Sequence, residues 1–223
     1  MNRKGINLKD VYLFGTNSIA RQLLQYMKGD SNYRVLGLTL NGEYCTSNDA
    51  CGFPLIPFEE IATKGGDFGI INCIGNSKAF SVRQKIDDMI NDKGIPLLSY
   101  VHETADIEGG VEMGAGCLVF NYSHVGEFCK IGNSNIIRRA SIGHDSIVGD
   151  YNWFSRGSVC AGKVTVEDHC YIGINATITA SISLASYTVV GHAAYVNKNT
   201  VMYEVLSPAK TVSIKYNKPL FLD

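Results

Sequence analysis

The chain has 223 residues and 24.3 kDa, 45% hydrophobic and 18% charged, which is room for one large domain or two small ones with real cores. A formal net charge of −1 leaves no basic excess to hold a nucleic-acid backbone or an anionic membrane surface. No apolar run approaches the ~18 residues that span a bilayer, so neither nucleic-acid binding nor membrane insertion is expected.

The opening MNRKGINLKDVYLFG carries no apolar leader. The strand–helix grammar starts there. VYLFG (11–15) is a short apolar run stopped by Gly15, and SIARQLLQYMKG (18–29) places Ile19, Leu23, Leu24 and Met27 at helical spacing. RVLGLTL (34–40) reads as a second strand, FGIINCIG (68–75) as a third, SVRQKIDDMINDKG (81–94) as a helix closed by glycine, and PLLSYV (96–101) as the end of this half. Such alternation predicts an α/β domain of Rossmann-like type over residues 1–98. The cysteines (45, 51, 73, 117, 129, 160, 170) contain no C-x-x-C pair, and several fall in strand-like stretches. That pattern predicts reduced thiols, most of them buried, in a cytoplasmic protein.

From Ala105 the helical period stops. Ile107, Met113, Val119, Val125, Ile131 and Ile137 fall six apart. After one step of five, Ile142, Val148, Phe154, Cys160, Val166, Ile172, Ile178, Leu184, Val190 and Val196 resume the beat. A six-residue period with small residues between the aliphatic ones predicts a parallel β-helix over 99–223, three hexads to a triangular coil, the aliphatic side chains inside. The short step lies in NIIRRASIGHDSIVGD (135–150). Two readings of it stand open: a shortened corner absorbed locally, as a bulge is in a sheet, or a device that re-aims the following side chains and lifts His144 off the surface of the coil.

The stretches YLFGTNSIA, GIINCIGN, VHETADI, GHDSIVGD and CAGKVTVEDHCYIGINATI give nearly the whole chain a resemblance to a known family. They resemble the left-handed β-helix (hexapeptide-repeat) sugar acyltransferases, of the type that N-acetylates UDP-linked bacillosamine precursors, with sialic-acid O-acetyltransferases as relatives. The resemblance implies an N-terminal half that holds a nucleotide sugar and a prism that holds acetyl-CoA. It also implies a homotrimer with the site in a cleft between neighbouring prisms. The histidine that serves as base in such enzymes maps to His144. A neutral imidazole accepts the proton that a sugar amine loses on attacking a thioester, and Asp145 is the nearest carboxylate to fix its tautomer. The chain departs from such relatives at Gly143, where they carry an acid. It departs again at Arg138 and Arg139, where they carry an Asn-containing turn. Two guanidiniums suit a phosphate or a sugar carboxylate, and equally a solvated corner.

Gly173-Ile174 and Gly191-His192 are 18 residues apart, one full coil, and therefore stack on one edge. The resemblance places acyl-CoA contacts there and at Trp153, for which packing between subunits is the competing reading. SPAK (207–210) resembles a tail motif whose lysine, here Lys210, meets a CoA phosphate. On the nucleotide side, GTNSIA (Gly15, Thr16, Asn17 and Ser18 at its start) retains one glycine of a dinucleotide turn. Its backbone still opens a helix whose N–H groups suit an anion. Asn41 at the end of the second strand and Gly75-Asn76 at the end of the third lie at the edge where open α/β sheets bind ligands.

Of four rival readings, the residues argue against two. A zinc-dependent prism enzyme needs an H-x4-H pair, which the five histidines (102, 124, 144, 169, 192) do not form, so no metal is expected. A nicotinamide oxidoreductase needs the lost glycines and an acid after the second strand. A non-catalytic sugar-binding prism, or an O-acyltransferase using the same base on a hydroxyl, stays open beside the expected N-acyltransferase of surface-glycan biosynthesis.

Overall fold

The computed structural model describes residues 8–30, 32–75 and 80–210. Its first part runs β1 (Lys9–Phe14), α1 (Ser18–Met27), β2 (Tyr33–Leu40), a 3-10 turn (Gly42–Tyr44), β3 (Asp49–Ala50), β4 (Phe53–Pro57), α2 (Phe58–Lys64), β5 (Gly69–Asn72) and α3 (Phe80–Asp92). The five strands form one mixed sheet in the order β3-β4-β2-β1-β5. β4, β2, β1 and β5 are parallel, and β3 turns back antiparallel on β4. Val11, Leu13, Ile70 and Ile71 are fully buried, as expected of parallel strands covered on both faces. The turn, hairpin and α2 between residues 42 and 64 add to the sequence reading. Their strands and helix are too short to show a period.

From Tyr100 the chain winds into a three-sided parallel β-helix. Its first face stacks seven two-residue strands, its second six and its third five. Tyr100–Val101 pairs with Leu118–Val119 and is the first rung of the first face. PLLSYV is thus split: Leu97 bridges to Ile70 of the sheet, and Tyr100–Val101 already belongs to the prism. All sixteen beat residues line the prism interior, from Val119, Val125 and Ile137 at 0% exposure to the partly buried Ile107 and Met113 at its open end. Each buried Val, Ile or Leu contributes about 1.5–3 kcal/mol relative to exposure. The coil is held by this repeated burial together with the ladders. Corners bend at one residue of left-handed backbone per hexad, among them Tyr122, Phe128, Ser134, Asp145, Lys163 and Asn175.

The five-residue step is absorbed in one corner. Between first and second face it has three residues, Arg138, Arg139 and Ala140, where the coils on either side have four, 120–123 and 155–158. Arg139 (φ 48°) takes the left-handed position held by Tyr122 and Gly157 in those coils. Ser123 closes the short turn: its hydroxyl donates to the Ile137 carbonyl at 3.0 Å and accepts from the Arg139 amide at 2.9 Å. Downstream pairing stays in register, His124↔Ser141↔Val159 and Val125↔Ile142↔Cys160. The local-bulge reading therefore holds. The re-aiming reading is corrected, because His144 sits in an ordinary corner, bracketed by Asp145 N–Glu127 O at 2.9 Å and Lys163 N–His144 O at 2.8 Å.

The two parts share a core. Leu13, Leu23, Leu24 and Met27 pack with Tyr100, Leu118, Phe120 and Ile136, so α1 lies against the first face of the prism. Arg83 of α3 is 3% exposed and donates to the carbonyls of Asn72, Ile74, Gly116 and Ser134. Asp87 accepts from Ser134 Oγ and from Asn72 Nδ2. A buried charge is tolerated only with such full satisfaction. All seven cysteines are free and five are buried, while Cys45 is half-buried and Cys51 exposed. Burial pushes the Cys73, Cys160 and Cys170 thiols up to about 12, which keeps them protonated.

Candidate active site

His144 stands on the corner between second and third faces. Its Nδ1 lies 2.8 Å from Asp145 Oδ2, and the two side chains are 58% and 48% exposed. With the Nδ1 proton donated to the carboxylate, Nε2 is left as the acceptor. Asp145 reaches its neighbour because it occupies the left-handed corner position (φ 56°), a conformation that Asp tolerates well. The ring lies over Gly162, one coil further: a methyl group on Gly162 would stand 2.5 Å from Nε2. Gly143 has a similar cause. Any side chain there would begin 2.6 Å from the Gly162 nitrogen, so this corner has no room for the acid that relatives carry.

The other end of the second face, its corner with the first, gathers residues that the sequence assigned to different ligands. Arg138 donates to Gln22 Oε1 of α1 at 2.9 Å, and its guanidinium carbon lies 4.8 Å from the Phe120 ring and 5.7 Å from that of Trp153. Trp153 donates from Nε1 to Ser155 Oγ at 3.0 Å and stacks on Tyr171, centroids 6.5 Å apart. A cavity of about 380 Å³ opens among Arg138, Trp153, Ser155, Arg156, Tyr171 and Ile174. Burial first, then the Arg156 cation, holds Arg138 below the usual arginine range; a guanidinium stays charged at neutral pH even so. Arg139 turns aside, with Nε donating to Asn121 Oδ1 at 3.1 Å and its head over Tyr122. Neither arginine is a solvated corner.

Gly173 and Gly191 stack as the spacing required, since Tyr171 pairs with Val189 and Ile172 with Val190. A side chain on Gly173 would meet the Gly191 and His192 backbone at 2.7 Å. The Ile174 amide donates to His192 Nδ1 at 2.8 Å. Pro208 packs over Gly191, and Lys210, the last described residue, is exposed.

At the edge of the mixed sheet, Gly15 (φ 124°) makes the turn that glycine alone adopts readily and donates to Thr39 O at 2.9 Å. Asn17 caps α1, accepting from the Ile19 and Ala20 amides, and donates to Cys73 O at 2.9 Å. Its side-chain oxygen is taken up by the cap, while Thr16 beside it is half-exposed and Ser18 exposed. Asn41 Oδ1 and Thr39 Oγ1 are buried at this edge without a hydrogen-bond partner among the described residues. Gly75 lies beside Trp153, 3.6 Å from where its side chain would begin, and so joins the sheet edge to the cavity. Asn76 lies outside the described residues.

The structure thus brings Gly75, Arg138, Trp153, Ile174 and His192 to one region and leaves His144 and Asp145 on another corner. Arg139 and Asp145 are six residues apart along one face, on the order of 20 Å of extended chain. Sequence reasoning missed Arg156, Tyr171 and Gly162. Tyr171 was within reach, because it follows Trp153 by one coil of 18 residues. Elsewhere, Asp106, Glu108 and His124 bring ligand atoms within 4.8 Å of one another, but they are mostly exposed, and Glu108 already accepts from the Glu127 amide.

No family model matches the chain. Over 115 residues it is 28% identical to the GDP-perosamine N-acetyltransferase of Escherichia coli O157:H7, a match covering 49% of this chain and 48% of that protein. The chain spans about half the length of this curated relative. Its fold is similar to that of a mutant GDP-perosamine N-acetyltransferase from Caulobacter crescentus solved with CoA and GDP-perosamine (TM-score 0.80, 18% identity, 91% and 95% of the two chains). It is also similar to the acetyltransferase domain of PglB from Neisseria gonorrhoeae FA1090 in complex with acetyl coenzyme A (TM-score 0.77, 17% identity, 91% and 100%). The resemblance to left-handed hexapeptide-repeat sugar acyltransferases therefore extends from motifs to the whole fold.

Proposed function

We propose that this protein transfers the acetyl group of acetyl-CoA to the amine of a nucleotide-linked amino sugar, with His144 as general base. The observation that carries this reading is the His144–Asp145 pair: an imidazole with Nδ1 tied to a carboxylate and Nε2 presented at an exposed corner. It is supported by likeness in sequence to a GDP-perosamine N-acetyltransferase and in fold to one solved with CoA and GDP-perosamine.

In the reaction the amine nitrogen attacks the thioester carbonyl, the carbon–sulfur bond breaks and CoA leaves as its thiol. His144 Nε2 takes the proton released by the amine and gives it to the departing sulfur. Asp145 holds the ring in the tautomer that leaves Nε2 free and stabilises the imidazolium that forms. Gly162, having no side chain, leaves that nitrogen its space. In this reading residues 1–98 form a Rossmann-like domain that holds the nucleotide through the Gly15–Ser18 turn, Asn41 and Gly75-Asn76. Residues 99–223 form the acyltransferase prism, with the first-to-second corner (Trp153, Gly173, Ile174, Gly191, His192) and Lys210 on the acyl-CoA side. The protein carries out this reaction in the cytoplasm as a step of surface-glycan synthesis. No helix among the described residues is long and apolar enough to cross a membrane.

A site split between two corners of one chain is completed by a second copy, and a homotrimer closes three such sites. Thiol release from acetyl-CoA in the presence of GDP-, UDP- or dTDP-linked amino sugars tests the reading, with NMR of the product to tell N- from O-acetylation. Release by the wild type with one acceptor, lost in His144→Ala, is expected. No release with any amino sugar, or release undiminished in His144→Ala, overturns it.

A further inference from the structure

Arg138 and Arg156 line one cavity, where the Arg156 cation works against the charge of Arg138, yet among the described residues no carboxylate lies within 4.0 Å of either head. Two like charges side by side at a half-buried site are unfavourable unless an anion joins them. Arg138 is held in place without neutralisation: among the described residues its guanidinium's one hydrogen-bond partner is the neutral Gln22 amide, and the Phe120 ring lies beneath it. Most of its five N–H donors remain unspent. Arg156 is exposed at the rim, its side chain in no hydrogen bond with another described residue.

The short corner explains how they meet. Where the next coil has four residues, 155–158, this one has three, so Arg156 has no counterpart in the shorter corner, and it lines the same cavity as Arg138. The floor of the resulting cavity is aromatic, with Trp153 and Tyr171 inclined by 25°. Its volume of about 380 Å³ falls in the usual range for ligand pockets. A lone carboxylate would leave the aromatic shelf unused, and an uncharged sugar would leave the cations without an anion. Shelf and cations together match a heteroaromatic base carrying phosphates, the base against the rings and the phosphates between the guanidiniums.

We propose that Arg138 and Arg156, with the Trp153–Tyr171 shelf, form a subsite for a nucleoside pyrophosphate, opened by the three-residue corner. The proposal rests on the acyltransferase reading for its two candidate sources, the nucleotide sugar and the adenosine pyrophosphate end of CoA, which share this chemistry.

Trp153 is the chain's single tryptophan, so its fluorescence reports directly on the shelf. The full-length protein, Arg156→Gln and Arg138→Lys are titrated with GDP, UDP, dTDP and CoA, with calorimetry alongside. Saturable quenching by at least one of these is expected, weakened about 10- to 100-fold in Arg156→Gln with no change in its thermal midpoint. Arg138→Lys, which keeps the charge but loses the fork, is expected to weaken it less. Quenching by nucleoside diphosphates alone assigns the subsite to the acceptor, and quenching by CoA alone assigns it to the acyl donor. Equal affinities in all three proteins, or no quenching by any of the four ligands, overturn the proposal. Binding is read without turnover, so the two readings fail separately. Acetyl transfer with unaltered Arg156→Gln affinity removes the subsite alone, whereas arginine-dependent binding without transfer to any amino sugar removes the acyltransferase alone.

Discussion

The two ends of the second face of the prism solve different problems with the same six-residue unit. At the His144 end the corner is regular, its register is kept, and the proposed chemistry rests on one side chain above a glycine. At the Arg138 end the corner is one residue short, and its side chains reach out to α1, to Phe120 and to the next coil. A repeat that must bury an aliphatic residue every hexad cannot shift its strands without exposing its core. Variation is therefore confined to corners, either as a new side chain on an unchanged bend or as a changed bend. This protein uses the first for the proposed base and the second for the proposed phosphate site.

Removing the base should break the comparison most visibly. His144→Ala is expected to lower kcat by about 10²- to 10⁴-fold while leaving nucleotide affinity, measured by calorimetry, unchanged. Loss of affinity in step with kcat would place His144 in binding instead. Gly162→Ala is the subtler probe of the same corner. Its methyl group displaces the far end of the imidazole, so kcat should fall about tenfold or more with the thermal midpoint nearly kept. Full activity in this variant would mean that the ring over Gly162 is not the reactive pose.

At the opposite corner the expected signature is stability. Arg138→Ala removes a guanidinium packed between α1, Phe120 and Trp153 and should cost about 1–2 kcal/mol in denaturant unfolding. A variant as stable as the wild type would show that the arginine does not tie the two parts together. Smallest is a pH effect on the remaining edge. His169 is buried in an aromatic ladder, 5.2 Å from Tyr151 and 4.8 Å from Tyr187. Burial lowers its affinity for protons, against the opposing pull of Asp168 and Asp150. The unfolded chain thus takes up this proton at higher pH than the folded one, and stability falls as pH drops below about 6.5. His169→Tyr keeps the stack and should lose that part of the acid sensitivity in thermal melts at pH 5 to 7.5.

The prism was legible because its rule is local: one aliphatic side chain every six residues places each strand, as the buried run from Val119 to Val196 bears out. β1, β2 and β5 and the helices α1 and α3 were legible from apolar runs and glycine stops. The hairpin of β3 and β4 escaped because two and five residues carry no period, and Tyr100 was misplaced because one apolar rung looks the same at the end of a sheet as at the start of a coil. At the candidate site, His144 could be read from the motif around it, and Asp145 because it is the next residue in sequence. The meeting of Arg138 with Arg156 and Trp153 could not, since it depends on which corner each coil turns at and on the residue missing between Ile137 and Ile142.

The central claim is that the two corners act in one reaction, each supplied by a different copy. Co-expression of His144→Ala with an Arg138→Ala/Arg156→Gln variant, separately tagged and purified through both tags, tests it most directly. In any mixed trimer one interface joins an intact His144 to an intact arginine corner, so thiol release from acetyl-CoA should return to about a third of the wild-type rate while each parent stays near background. Mixed oligomers no more active than their parents would contradict the account.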